Sequence, residues 1–269
     1  MSSLSDYLEA GILNNIFRAA AAPSIHATNN YYALFTANPS DSGGGTECSG
    51  TGYARVALAR NVTGNFDAPS SGATQNAVAI DFGTAGAGGW GTVTAVGVFD
   101  ASSGGNLLLW QPLATNKAIN SGDPVSFAIG DFDVALTGAF SGYLRDVILN
   151  WLFRNGTWPT WNASIALSLH TGAPGLTGAN EVSGGSYARK SITRGTGEFS
   201  LVTTTGATEN TNQQTFPSPT ANWGVITDAG IWDGGGTNFL FAATMDDRTV
   251  NNGDQAPYIA AGALDITLA

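Results

Sequence analysis

The sequence is poor in the residues that most catalytic and metal-binding sites need. Its 269 residues include one cysteine and two histidines, and charged residues make up only 11%. A single cysteine excludes an intrachain disulfide and a cysteine-rich metal site. With His26 and His170 as the histidines, no Ser-His-Asp or Cys-His set and no cluster with metal-ligand spacing can be assembled. We therefore expect no cofactor, no metal and no catalytic residues.

Positive charge is also scarce. Lys and Arg total 10 against 20 Asp and Glu, which gives a formal net charge of −10. Nucleic-acid binding needs clustered Lys and Arg to neutralise phosphates, and anionic membrane surfaces attract polybasic segments. No apolar run approaches the ~18 residues of a membrane span. The composition thus disfavours nucleic acid and membranes as partners.

Glycine and short apolar runs are what the sequence has in quantity. There are 36 glycines, and hydrophobic residues make up 43% of the chain. Short apolar segments separated by Gly, Asn, Ser and Thr are typical of an all-β protein with many turns.

The sequence is built from two copies of one pattern. The spacing between the copies is 136 residues at Tyr7 and Tyr143 and 131 residues at Lys117 and Arg248, so the length differences fall in loops. The clearest matches are YLEAGILNNIFR (7–18) with YLRDVILNWLFR (143–154), SGTGYARVALAR (49–60) with SGGSYARKSITR (183–194), and WGTVTAVGVFD (90–100) with WGVITDAGIWD (223–233). This duplication predicts two domains, residues 1–137 and 138–269.

Each repeat begins with a predicted helix and continues with predicted strands. Ser3-Leu4-Ser5-Asp6 resembles a helix N-cap, and apolar residues follow at helical spacing. We expect the apolar stripe of each helix to cover the sheet that follows it in the same repeat. Six or seven strands per repeat are expected, separated by turn residues. The predicted fold is mostly all-β, with two tandem antiparallel β-sandwich or jelly-roll-like domains, each preceded by one N-terminal α-helix.

Charged and aromatic residues that recur in both repeats are the candidates for a shared structural feature or a shared site. They are Glu47, Tyr53, Arg55, Arg60, Trp90 and Asp100 in the first repeat, and Glu181, Tyr187, Arg189, Arg194, Trp223 and Asp233 in the second. In one interpretation Arg55 and Arg189 hold the preceding Gly-rich loop by bonds to its carbonyls or to the nearby glutamate. In the other they form a duplicated carbohydrate or anion site. We favour the structural interpretation, in which the Tyr-Ala-Arg blocks begin strands and anchor the Gly-rich loop.

Two further groups of residues have functional alternatives. Asp100 and Asp233 could serve as carboxylates of a glycosidase, but an aspartate that closes its own backbone turn explains their positions without catalysis. Trp158 and Trp161 have no counterparts in the first repeat and lie in a predicted loop. They are a candidate contact surface.

The order of these motifs resembles a bacteriophage structural module commonly labelled a tail-fibre or virion structural protein. The resemblance rests on the helix motif that ends I-L-N-x-x-F-R, the Y-A-R block, W-G-x-V-T-x-x-G and N-x-G-D, and it covers both repeats. It implies a non-enzymatic protein located in the virion.

The resemblance leaves the place in the virion open. The leading expectation is a capsid decoration (cement) protein, a homotrimer that bridges capsomers and binds the major capsid protein or other virion proteins. Three chains would present six similar lobes around a threefold axis. The alternatives are a tail-fibre adhesin that binds a host-surface glycan and a glycan-cleaving depolymerase.

Overall fold

The chain forms two compact units, and each unit combines segments of both repeats. A computed structural model describes residues 3–22, 28–61, 64–203 and 206–268. Unit 1 comprises the described residues within 1–9, 23–136 and 146–158. Unit 2 comprises those within 10–22, 137–145 and 159–269.

The first repeat contains one helix and ten strands, several of them only two or three residues long. They are β1 (Ser3–Leu4), α1 (Asp6–Arg18), β2 (Asn29–Ala37), β3 (Thr46–Glu47), β4 (Val56–Ala59), β5 (Ala73–Gln75), β6 (Ile80–Thr84), β7 (Gly91–Phe99), β8 (Leu107–Ile119), β9 (Pro124–Phe127) and β10 (Asp133–Ala135). The main sheet has the order β1-β8-β7-β2-β3, with β4 also paired to β2. Two ribbons, β5 with β10 and β6 with β9, complete the strand pairing.

The second repeat has the same plan with fewer strands. Its elements are α2 (Gly142–Arg154), β11 (Ser164–His170), β12 (Lys190–Thr193), β13 (Ala207–Glu209), β14 (Gln214–Thr215), β15 (Gly224–Asp233), β16 (Phe239–Val250), β17 (Tyr258–Ile259) and β18 (Asp265–Thr267). The main sheet has the order β12-β11-β15-β16, and β13 with β18 and β14 with β17 form the ribbons. All of these strand pairs are antiparallel. The mostly β, antiparallel fold with a helix at the start of each repeat is therefore confirmed.

The predicted number of strands, six or seven per repeat, is too low because the sequence does not mark two-residue strands such as Thr46–Glu47 and Gln214–Thr215. The Tyr-Ala-Arg blocks also differ from the expectation that they begin strands. Residues 53–55 precede β4, and residues 187–189 precede β12. Their side chains are thus free of sheet alternation and can converge on one point.

Both helices begin at a serine that satisfies free amides of the first turn. The Ser5 hydroxyl accepts from the Leu8 amide at 3.3 Å, and the Ser141 hydroxyl accepts from the Leu144 amide at 3.0 Å. Both helices end at a residue in the left-handed region, Ala19 and Asn155, each with φ of 54°. The helix at the start of each repeat is confirmed, but Ser5 is the N-cap of α1, because Ser3 and Leu4 of the predicted cap motif pair with β8. The two helix ends are matched as well.

The expectation that each helix covers the sheet of its own repeat is wrong for most of each helix, and only the first turns, residues 6–9 and 142–145, belong to the unit of their own repeat. Residues 146–158, which include most of α2, belong to the unit formed by the first repeat's strands. Residues 10–22, which include most of α1, belong to the unit formed by the second repeat's strands. The apolar stripe is buried as predicted, but beyond the first turn it lies in the unit formed by the other repeat's strands.

The core of unit 1 illustrates this composition. The Phe153 ring from α2 lies against Phe66, with centroids 4.4 Å apart, and Phe66 lies edge-on to Phe132. Tyr32 of β2 packs on both Phe66 and Phe132. All four side chains are almost completely buried. Burying an aromatic side chain removes 150–250 Å² from water, so α2 supplies a substantial part of this core.

Candidate functional site

The recurring residues of the first repeat meet in one hydrogen-bonded cluster. The Arg55 guanidinium donates to both carboxylate oxygens of Glu47, from Nε at 3.0 Å and from Nη2 at 2.8 Å. The Tyr53 hydroxyl donates to the same carboxylate at 3.1 Å and accepts from the Leu34 amide of β2 at 2.9 Å. Paired, charge-assisted bonds of this kind are shorter and stronger than neutral ones.

Arg55 also holds a neighbouring turn. Its Nη1 donates to the carbonyl oxygens of Ala101 at 2.9 Å and Gly104 at 2.8 Å, and its guanidinium carbon lies 3.7 Å from the centre of the Phe99 ring. The carbonyls expected to bind this arginine were those of the Gly-rich stretch before Tyr53. They belong instead to the turn between β7 and β8, which the guanidinium can reach while it stacks on Phe99.

Asp100 closes that turn from within. Its carboxylate accepts from the Asn106 amide at 2.6 Å and from the Asn106 side-chain amide at 2.8 Å. Asp233 does the same in the second repeat, with Thr237 and Asn238 as donors at 2.8 and 2.6 Å. Both carboxylates thus accept hydrogen bonds within their own turns, which is the structural role expected of an aspartate at this position.

The second repeat reproduces the cluster. Arg189 binds both carboxylate oxygens of Glu181 at 2.8 and 2.7 Å, and the Tyr187 hydroxyl donates to Glu181 at 3.0 Å. The Arg189 Nη1 donates to the Gly236 carbonyl at 2.8 Å, and the guanidinium lies 3.6 Å from the centre of the Trp232 ring. The two Glu-Tyr-Arg clusters therefore share the paired Glu–Arg bonds, the Tyr–Glu bond and a cation–π contact, whereas Arg189 bonds one turn carbonyl and Arg55 bonds two.

Trp90 and Trp223 support the clusters from the core side. Both indoles are buried and lie edge-on to the cluster tyrosine, with centroids 5.3 Å apart in each repeat. The Trp90 indole also donates to the Thr51 carbonyl at 3.1 Å. These tryptophans are core residues that fix the tyrosine ring.

The acid–base properties of the clusters follow from burial. Burial raises the pKa of the Tyr53 and Tyr187 hydroxyls, and the adjacent glutamate raises it further. Both phenols therefore stay protonated and act as hydrogen-bond donors. Burial also raises the pKa of Cys48, next to Glu47, to about 11. A thiol with this pKa is a poor nucleophile at neutral pH.

Arg60 and Arg194 bind the ends of helices. The Arg60 Nε donates to the Leu152 carbonyl at 3.0 Å, and its Nη2 donates to the Trp151 carbonyl. The Arg194 Nε donates to the Ile16 carbonyl at 2.6 Å, and its Nη2 donates to the Asn15 carbonyl. These carbonyls belong to the last turn of α2 and of α1, where a helix lacks internal donors and favours a cation.

The sequence shows that Arg60 recurs as Arg194, but it does not show what these arginines bind. Asn30, which the sequence did not single out, also donates to the Leu152 carbonyl, at 2.9 Å. The recurrence of Arg60 as Arg194 indicates a binding partner that is also present in both repeats. The helix ends are such a partner.

Trp158 and Trp161, the candidate contact surface, are half-buried and belong to different units. The Trp158 ring lies 4.9 Å from the Trp151 ring of α2. The Trp161 indole donates to the Asn15 side chain at 2.9 Å, and the Trp161 carbonyl accepts from Arg194 at 3.2 Å. Both tryptophans thus pack beside the end of a helix.

The two histidines and the acidic side chains are the remaining candidates for catalysis or metal binding. His170 is buried at the end of β11, where its ring bonds the Ser168 hydroxyl and the Ala179 carbonyl, and burial lowers its pKa. His26 lies outside the described residues. Across the described ranges, no three His, Cys, Asp or Glu side chains are placed to share a metal ion. No helix in the same ranges has the length and apolar character to cross a membrane.

The chain is thus a tandem-repeat β protein whose recurring arginines bind turn carbonyls and helix ends. A family model described as podophage GP4 fiber I protein gp80 matches residues 3–135 and, separately, residues 139–267. The chain therefore belongs to this family of phage virion structural proteins, with two tandem copies of the module. The resemblance to a phage structural module is confirmed. No curated protein matches the chain.

Proposed function

We propose that this protein is a non-enzymatic structural subunit of a phage fibre. The observation that carries the proposal is the family match, which occurs twice and covers most of the chain. The family is described as a fiber protein, and this favours the fibre location over the capsid decoration that the sequence first suggested.

The use of the recurring side chains supports a structural role. Glu47 and Arg55 neutralise each other, and Arg55 also satisfies two turn carbonyls. Asp100 and Asp233 accept from their own turns. A general acid, base or nucleophile needs a reactive lone pair or proton directed at a substrate, whereas these groups are engaged with the protein itself.

Capsid decoration is the second candidate, and the duplicated module favours it. Three copies of a two-module chain would present six similar sandwiches around a threefold axis, which suits a quasi-sixfold lattice. The partner would be the major capsid protein or another virion protein, contacted through buried area and not through chemistry. Both candidates include self-association, with a homotrimer as the expected state.

A host-surface glycan is the expected ligand only for an adhesive fibre. Sugar-binding surfaces use exposed aromatic faces, whereas Trp158 and Trp161 are half-buried beside helix ends. These two residues therefore give an adhesin role little support, and the fibre proposal does not depend on it.

Gold-labelled antibody against the protein, applied to intact virions together with a count of copies per virion, tests the proposal. A fibre subunit labels the tail region and is present at about six or eighteen copies, the multiples that threefold and sixfold symmetry produce. Labelling over the whole capsid with hundreds of copies would support decoration and contradict the fibre proposal. Cleavage of host polysaccharide by the purified protein would contradict both structural roles.

A further inference from the structure

Each unit has a surface that binds a helix from the other repeat, and in unit 1 this surface surrounds Phe66. The Phe153 ring packs 4.4 Å from the Phe66 ring, and the Arg154 guanidinium donates to the Phe66 carbonyl. The Asp146 carboxylate accepts from the Gly72 amide at 2.7 Å. One face and one end of α2 are therefore held by residues of the first repeat.

Unit 2 repeats the aromatic and arginine contacts around Phe199 and adds a contact of its own from Asn14. The Phe17 ring packs 4.7 Å from the Phe199 ring, and the Arg18 guanidinium donates to the Phe199 carbonyl. The Asn14 side chain donates to the Val202 carbonyl at 2.8 Å and accepts from the Val202 amide at 3.2 Å. The end of α1 is therefore held by residues of the second repeat.

The two surfaces are equivalent in sequence as well as in contacts. Phe17 and Phe153 occupy the same place in the two helix motifs, and Arg18 and Arg154 follow them. Each repeat thus provides a helix and accepts one. In a domain-swapped dimer, each subunit gives the same element to the other. Here the two repeats of one polypeptide exchange a helix in the same way.

We propose that a single repeat of this chain is a self-complementing module whose binding partner is another copy of the repeat, joined by exchange of the N-terminal helix. The covalent connection between the repeats is then dispensable for their association. This inference rests on the contacts within each unit and is independent of the proposed role in the virion.

The test uses the full chain with a protease recognition sequence inserted between Thr137 and Gly138, which are both exposed. The intact variant is folded first and then cut under native conditions. We expect the two halves to elute together on size exclusion at the mass of the uncut chain. Halves that elute separately would overturn the proposal, whether or not they remain folded.

A variant of the same cut chain tests the contacts. Replacement of Arg60 and Arg194 by Met removes the charged donors that these two residues supply to the helix ends and should raise the dissociation constant of the halves by at least about tenfold. Lys117→Met, at an exposed lysine of β8, is the control and should leave the dissociation constant unchanged. An unchanged constant in the Arg60/Arg194 variant, with circular dichroism like that of the parent, would overturn the proposed mode of exchange.

Discussion

Arg194 donates from Nε to the carbonyl oxygen of Ile16, 178 residues earlier in the chain, at 2.6 Å. Its counterpart Arg60 makes the same bond, at 3.0 Å, to the carbonyl oxygen of Leu152. Ile16 and Leu152 occupy equivalent places in α1 and α2. The arginine of each repeat therefore holds the helix of the other, and the two repeats depend on each other for their stability.

Removing the Arg194 guanidinium should destabilise the protein markedly. Arg194→Met leaves the carbonyls of Asn15 and Ile16 without these charged donors, and we expect a loss of about 2–4 kcal/mol in the free energy of unfolding. Arg194→Lys should recover only part of this loss because an ammonium cannot reproduce the guanidinium fork. Urea unfolding measures both. Lys117→Met is the control, with an expected change within about 0.5 kcal/mol. A change that small in Arg194→Met would show that the helix-end bonds contribute little.

The two Glu-Tyr-Arg clusters should respond differently to loss of the glutamate charge. The Arg55 side chain is 8% exposed and the Arg189 side chain 26% exposed. When a buried arginine loses its carboxylate counter-ion, the free energy of unfolding falls more than for an exposed arginine, because water cannot solvate the buried charge. Glu47→Gln should therefore lower the melting temperature more than Glu181→Gln does, with losses of about 2–4 and 1–2 kcal/mol. Calorimetry of the two variants decides this, and an equal or reversed order would contradict the burial argument.

Glu9 should make the stability of the protein depend on pH. It is 3% exposed in α1, and burial together with Asp41 and Asp6 raises its pKa from 4.5 to about 7. The folded state binds the proton of the Glu9 carboxyl more tightly than the unfolded chain does, so below pH 4.5 Glu9 does not lower the free energy of unfolding. As the pH rises from 4.5 to 7, ionisation of Glu9 lowers that free energy progressively, and the loss is complete above pH 7.

The substitution Glu9→Gln removes that titration. We expect it to stabilise the protein by about 1–3 kcal/mol at pH 8 and to have little effect at pH 4. Thermal unfolding across this pH range measures the difference. Exposed Glu209→Gln is the matched control and should follow the parent at every pH. A Glu9→Gln curve parallel to that of the parent would contradict the raised pKa.

Cys48 should report unfolding through its reactivity. The thiol is 4% exposed and has a pKa of about 11, so both access and ionisation limit its reaction. We expect alkylation by iodoacetamide at pH 8 to be at least about a hundredfold slower in the folded protein than in urea, because a raised pKa of this size alone lowers the thiolate fraction by that order. Mass spectrometry of the alkylated fraction measures the rate. Rapid labelling of the folded protein would contradict the burial of Cys48.

The sequence predicted the long strands and both helices because their apolar periodicity is a local property. The strand predicted from VTAVGVF is β7, in the middle of the first sheet. The shortest strands, such as Gln214–Thr215, were missed because two residues are too few to show alternation. Their pairing comes from tertiary packing and not from a pattern in the sequence.

The exchange of helices could not be predicted from the sequence for a specific physical reason. Arg60 and Arg194 are the same residue type in the same place, and so are the helix ends that they bind. A pairing within one repeat and a pairing across repeats therefore satisfy the same donors and acceptors. Only the path of the chain decides between them, and that path is a property of the folded structure.

Double-mutant cycles on aromatic pairs measure most directly whether each sandwich is completed by the other repeat's helix. We expect a coupling of about 0.5–1.5 kcal/mol between Phe17→Leu and Phe199→Leu, whose parent rings pack 4.7 Å apart. A similar coupling is expected between Phe153→Leu and Phe66→Leu. Coupling of Phe17 to Phe66, with none to Phe199, would show that each helix packs on its own repeat and would overturn the exchange of helices.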